Sequence, residues 1–132
     1  MTVEEYRELL KKQKKGNKLN AVKITYDNKE FASLKESERY AELSMMQKVG
    51  LIRDLKTQVK YVLIPSQKDE QGKVIEKECS YIADFVYHDI MADKLVVEDV
   101  KGYRNPSSAT YAKFVIKRKL MLYLKNIRIR EI

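Results

Sequence analysis

Three strand-like runs follow one another between Gln58 and Lys101 with no helix-length segment between them. The first, Gln58–Ile64, is ended by Pro65, and the second is Ser80–Tyr87. The third, Leu95–Lys101, is rich in β-branched residues and stops at Gly102. Connections this short leave an antiparallel meander as the economical pairing. The polar stretch Asp69-Glu70-Gln71-Gly72 reads as the tip of a hairpin arm between the first two runs. After the Asn105-Pro106 breaker, Ser108 can cap a helix over Ala109–Leu124, and Ile127-Arg128-Ile129-Arg130 then alternates as a last strand. A strand, helix, strand sequence implies a crossover, so the sheet is expected to be mixed and flanked by helices.

The upstream segments fit the same α/β class. Ser33–Val49 has helical periodicity and a glycine stop at Gly50. Val22–Tyr26 and Lys29–Phe31, joined by Asp27-Asn28, read as a small hairpin. Thr2-Val3-Glu4-Glu5 is a capping box opening a helix to Lys15, with Gly16–Asn20 as a link. Residues 1–19 are therefore expected as an N-terminal helix and linker, and residues 20–132 as one domain.

Composition removes several chemistries. Cys79 and His88 are single, which excludes an internal disulfide, a cysteine zinc cluster and histidine-based zinc sites, and argues against a Ser-His-Asp triad. A bound metal would need oxygen ligands, which favours Mg²⁺ or Mn²⁺. No apolar run approaches membrane-spanning length and the N-terminus lacks signal-peptide character, so no membrane partner and a cytoplasmic location are expected. The net charge is +8, and the nine basic residues from Lys101 to Arg130 have no acid among them. A region of one sign is a footprint for a polyanion, here nucleic acid.

The chemistry-bearing pattern is Asp84 followed by Asp99-Val100-Lys101. Strand alternation sends Asp99 and Lys101 to one face and Glu98 to the other, where it suits a lysine or arginine partner. Two carboxylates and one lysine at a hairpin end are what metal-assisted phosphodiester hydrolysis requires. The triplet also occurs as Asp27-Asn28-Lys29 and Asp54-Leu55-Lys56. The first reads as a turn and the second follows a helix end, whereas Asp99 lies in an apolar strand where a charge is costly to bury without a role. The alternative for Asp99 and Lys101 is an exposed strand face with a cross-strand ion pair. Lys113 and Lys117 share one helix face, and Lys117-Arg118-Lys119 spreads the charge wider. Tyr103 and Tyr111 suit either base stacking or ordinary packing. Gln58 is either a polar group near the site or a plain strand-end side chain.

The element order, with Asp84 and Asp99-Val100-Lys101 on successive strands, resembles the PD-(D/E)XK nuclease core. Phe31–Tyr40, Tyr81–Tyr87 and Val96–Gly102 are similar to stretches of a family of small phage-encoded proteins of that restriction-endonuclease-like fold, catalogued as a domain of unknown function. The likeness runs from about Asn20 to the C-terminus, and Ala83 stands where the superfamily name has proline.

The resemblance implies an αβββαβ core and a Mg²⁺-dependent DNA endonuclease acting on structured or branched DNA in a bacterial cytoplasm, with a homodimer as one option. It implies that Asp84, Asp99 and the Val100 backbone carbonyl ligate the ion. Lys101 would orient or deprotonate water, or stabilise the transition state. Glu36 matches the helix carboxylate, although Ser33-Leu34-Lys35-Glu36 is also a capping box. Arg104, Lys113, Lys117, Arg118 and Lys119 become DNA contacts, and Gln58 a group behind the ligands. The alternative is a non-catalytic DNA-binding or scaffolding protein that keeps the fold.

Overall fold

The computed structural model describes residues 2–5, 7, 24–102 and 107–132. It is an α/β protein with the hairpin β1 (Ile24–Tyr26) and β2 (Lys29–Phe31), helix α1 (Leu34–Lys48), strand β3 (Ile52–Ile64) and the arm β4 (Gln67–Lys68) and β5 (Val74–Glu76). Strands β6 (Cys79–Asp89) and β7 (Lys94–Asp99), helix α2 (Ala109–Lys125) and strand β8 (Arg130–Glu131) follow. The main sheet has the order β3-β6-β7-β8 and is mixed. Strand β8 runs parallel to β7, pairing Glu98 with Arg130 and Asp99 with Glu131. Neighbours β6 and β7 are joined by only residues 90–93, a connection that only antiparallel strands can use. No helix among the described residues is long and apolar enough to cross a membrane.

Contacts divide the chain into two compact units, Met1–Leu55 with His88–Lys94, and Lys56–Tyr87 with Leu95–Ile132. The expected boundary at residue 19 and the link before it lie outside the described residues.

In the first unit local sequence signals decide the backbone. Thr2 N–H donates to the Glu5 carboxylate and Glu5 N–H to the Thr2 hydroxyl, both at 3.2 Å, which is the reciprocal capping box. Asp27 and Asn28 take φ of 56° and 62°, the left-handed pair a two-residue hairpin turn demands. The hairpin then pairs Ile24 with Phe31 and Tyr26 with Lys29. Ser33 caps α1 by accepting from Glu36 N–H at 3.2 Å, and Gly50 leaves the helix at φ 84°. Tyr40, Ala41 and Leu43 are the buried apolar residues of α1.

In the second unit α2 lies against the sheet. Phe114 and Met121 share a core with Leu63, Tyr81, Ala83, Val86, Val97 and Ile129. Each fully buried side chain of this kind contributes roughly 1.5–3 kcal/mol. A regular strand would send Ala83 and Val86 to opposite faces, yet both enter this core, so the alternation of β6 breaks around Asp84. Ser108 caps α2 by accepting from Tyr111 N–H at 3.4 Å, and Asn126 ends it in the left-handed region at φ 54°.

Two strand expectations are corrected. Strand β3 begins at Ile52 rather than Gln58. Left-handed residues at Asp54 (φ 57°) and Gln58 (φ 53°) interrupt its alternation, which hides the first half from a period-two reading. The last strand pairs at Arg130–Glu131 rather than from Ile127, because the chain leaving the Asn126 cap first buries Ile129 in the core.

Candidate metal and nucleic-acid site

Everything that brings the candidate side chains together belongs to the second unit. Adjacent strands β6 and β7 carry Asp84 and Asp99, so the sheet's lateral spacing sets their separation. Strand β7 ends at Asp99, and the next two residues are held by main-chain bonds from Ile132 N–H to Asp99 O (2.9 Å) and from Lys101 N–H to Ile132 O (3.1 Å). The C-terminal residues thus continue the strand direction through Lys101. Its Nζ meets Asp99 Oδ1 at 2.6 Å, as two side chains on one strand face should.

Each carboxylate is oriented by a second bond. Tyr81 O–H donates to Asp99 Oδ2 at 2.6 Å. Val100 N–H donates to Asp84 Oδ2 at 2.8 Å, and Gln58 Nε2 donates to Asp84 Oδ1 at 3.3 Å. Gln58 reaches Asp84 from a left-handed backbone position, a conformation that costs a non-glycine residue of order 1–3 kcal/mol. Sequence spacing alone made it an ordinary strand end as readily as a site residue.

Burial pushes the Asp84 carboxyl above its ordinary range. The Val100 N–H opposes this, the Asp99 charge adds to it, and Gln58 and Lys101 oppose it further. The Tyr81 hydroxyl is pushed far above the usual phenol range by burial, then by its bond to Asp99 and the two nearby carboxylates. It is therefore a donor at every ordinary pH.

An open cleft of about 460 Å³ is lined by Tyr81, Asp99 and Lys101 together with Lys113, Phe114 and Lys117 of α2; Asp84 and Gln58 are not in its lining. Lys113 and Lys117 are one helical turn apart on α2, which fits their shared presence in the cleft. Arg118 and Lys119 face elsewhere. They line a second groove of about 390 Å³ with Leu122, Arg128, Ile129 and Glu131, and Arg118 is tied to Glu131 at 3.2 Å. Arg104 and Tyr103 lie outside the described residues. Tyr111 donates its hydroxyl to Glu131 at 3.1 Å and packs beside Phe114, a packing role rather than an exposed base platform.

Glu98 occupies the opposite strand face and is fully buried. Tyr87 O–H donates to it, and Arg130 Nη1 lies 3.8 Å away, the arginine partner that strand alternation anticipates. Glu36 belongs to the first unit, where it is buried in the first turn of α1 and its N–H completes one half of a capping box.

The Asp54 triplet, expected just beyond a helix end, lies in strand β3. What separates it from Asp99 is burial: its side chain is 65% exposed and paired with Arg53, against 8% for Asp99. Sequence reasoning also missed Tyr81 and Phe114. Period two sends Tyr81 and Asp84 to opposite faces, and nothing local marks the ring five positions after the helix start at Ala109 as a neighbour of Lys101.

The donor set suits a hard divalent cation. Among the described residues no three His, Cys, Asp or Glu side chains gather closely enough for one ion. Mg²⁺ is, however, commonly held by one or two carboxylates with water and substrate oxygens completing the shell. Asp99 oxygens that each accept one bond retain further acceptor capacity, and the mutual repulsion of Asp84 and Asp99 is what a cation relieves.

A family model described as "Protein of unknown function (DUF1064)" matches residues 16–130. No curated protein and no solved structure matches the chain.

Proposed function

The chain belongs to the DUF1064 family, and from the geometry of its second unit we propose that it is a metal-dependent DNA endonuclease. The observation that carries this reading is the meeting of Asp99 and Lys101, with Asp84 on the neighbouring strand, beside a cleft walled by Lys113 and Lys117. The element order α1, β3, β6, β7, α2, β8 with its parallel last strand supports a restriction-endonuclease-like core.

In this proposal Asp84 and Asp99 hold Mg²⁺, with Mn²⁺ as a substitute. A divalent ion there supplies Lewis acidity toward the phosphate and toward water. Tyr81, the Val100 N–H and Gln58 keep the two carboxylates aimed, as the groups behind metal ligands generally do. Lys101, 19% exposed beside the cleft, places a positive charge where the departing oxygen and the phosphoryl oxygens gain negative charge. Lys113 and Lys117 take the flanking phosphates, contacts that position a backbone without reading its sequence. A chain with so few groups in its cleft selects DNA by shape, and branched or otherwise structured DNA is the proposed substrate.

One observation favours the alternative of a non-catalytic DNA-binding protein: both oxygens of Asp99 already have protein partners, as in a purely structural ion pair. One experiment separates the two readings. Wild type and Lys101→Ala are incubated with branched and linear DNA in Mg²⁺, in Mn²⁺ and in EDTA. The endonuclease reading expects metal-dependent cutting that falls about 10²–10³-fold in the variant. Equal cutting by both proteins, or binding without cutting in either metal, refutes it.

A further inference from the structure

A lysine is a poor fixed charge unless something holds it. Its four-carbon stem carries about 2 kcal/mol of rotamer entropy, and its ammonium is a point charge without the planar fork of arginine. In this protein the Lys101 backbone is pinned by the bond to Ile132 O, but that bond does not aim the side chain. Asp99 Oδ1 holds the ammonium on one side at 2.6 Å. The same Nζ sits 3.5 Å from the centroid of the Phe114 ring, well inside the range in which a ring face attracts a cation.

The ring itself is fixed. Phe114 is 6% exposed and sits in the core between α2 and the sheet. Tyr81 packs at 6.2 Å between centroids with planes at 51°, and Tyr111 packs at 5.9 Å and 36°. Tyr81 therefore supports both partners of Lys101: it bonds Asp99 through its hydroxyl and braces Phe114 through its ring. The lysine side chain is only 19% exposed, so the ammonium–ring contact works with little water between.

We propose that Phe114 is a positioning residue: the face of its ring, delivered by α2, fixes the Lys101 ammonium beside Asp99 in the cleft. Its importance for turnover rests on the endonuclease reading; its hold on Lys101 does not. A packing role would be met by any apolar side chain of similar volume. A positioning role needs the negative ring face, so shape and ring electrostatics must be varied separately.

The test replaces Phe114 in the full chain with phenylalanines carrying one, two and three ring fluorines, which keep the shape while weakening the face. The ring-current shift of the Lys101 ε-methylene protons is followed by NMR, alongside kcat and KM on a DNA substrate. The expected result is an upfield-shifted Lys101 ε-methylene in the wild type that moves toward its ordinary position stepwise with fluorine number. The kcat falls in parallel to about one tenth, with KM unchanged, the size expected for a largely desolvated cation–π contact. Phe114→Leu, if folded, loses the shift altogether. An unshifted Lys101 methylene in the wild type, or a shift and kcat indifferent to fluorination, overturns the proposal. A wild type that cuts no DNA defeats the endonuclease reading alone, and the NMR series then decides the hold of Phe114 on Lys101.

Discussion

Tyr81→Phe isolates the bond that aims Asp99. The substitution keeps the ring, and with it the contacts to Phe114 and the core, and removes only the hydroxyl that donates to Asp99 Oδ2 at 2.6 Å. The acceptor is a charged group at 8% exposure, so water cannot easily replace the donor. Hydrogen bonds to charged groups contribute about 1.5–3 kcal/mol, and little cavity cost is added because a single oxygen is lost. For 132 residues the unfolding entropy is about 0.28 kcal/mol per kelvin, so the expected fall in Tm is about 5–10 °C without added metal. The assay is thermal unfolding by circular dichroism at pH 7 for wild type, Tyr81→Phe, Asp99→Asn and the double variant. If the hydroxyl acts through Asp99, the two single effects do not add, and the cycle shows a coupling of about 1.5–3 kcal/mol. Mn²⁺ affinity, read by calorimetry, should drop about 10–100-fold in Tyr81→Phe, as it does when groups behind metal ligands are removed. An unchanged Tm, or strictly additive effects, refutes the view that Tyr81 orients Asp99.

The remaining predictions concern Asp84 and the basic wall of the cleft. Because the Asp84 carboxyl is raised above its ordinary 3.8 in the folded chain, the folded state binds the proton more tightly than the unfolded state does. Stability from this group is therefore present below the unfolded value and is lost as pH rises through the folded one. Asp84→Asn should be more stable than the metal-free wild type at pH 7, with the difference closing as the solution is acidified; denaturant titration across that range checks it, and a variant less stable at pH 7 contradicts it. Lys113→Ala and Lys117→Ala should each lower the slope of log affinity for DNA against log salt by about one, measured by fluorescence anisotropy. Arg118→Ala should change that slope less, because Arg118 is committed to Glu131.

The local sequence was most legible where one residue type meets one backbone demand. Asp27-Asn28 specified its turn, Thr2 with Glu5 specified a helix start, and Ser33 and Gly50 bracketed α1 to within a residue. It was least legible where the backbone departs from its period. Asp54 and Gln58 break the alternation of β3, so a strand of thirteen residues read as one of seven. Met45, an apolar residue of α1, stays 42% exposed. Periodicity gives the direction a side chain leaves the helix, not whether another element is there to cover it.

The pattern of residues alone determined that Asp99 and Lys101 share a strand face, that Glu98 turns away from them, and that any metal must be held by oxygen. These follow from the fixed two-residue repeat of a strand and from the near absence of histidine and cysteine. Only the tertiary structure decided that Tyr81 serves Asp99, that Phe114 lies over Lys101, and that Lys113 and Lys117 enter this cleft while Arg118 and Lys119 line another. Those pairings join residues far apart in the chain, and they exist only once the sheet has set its order and α2 has settled on it. A strand repeat fixes which way a side chain points; the packing of the core fixes what it meets.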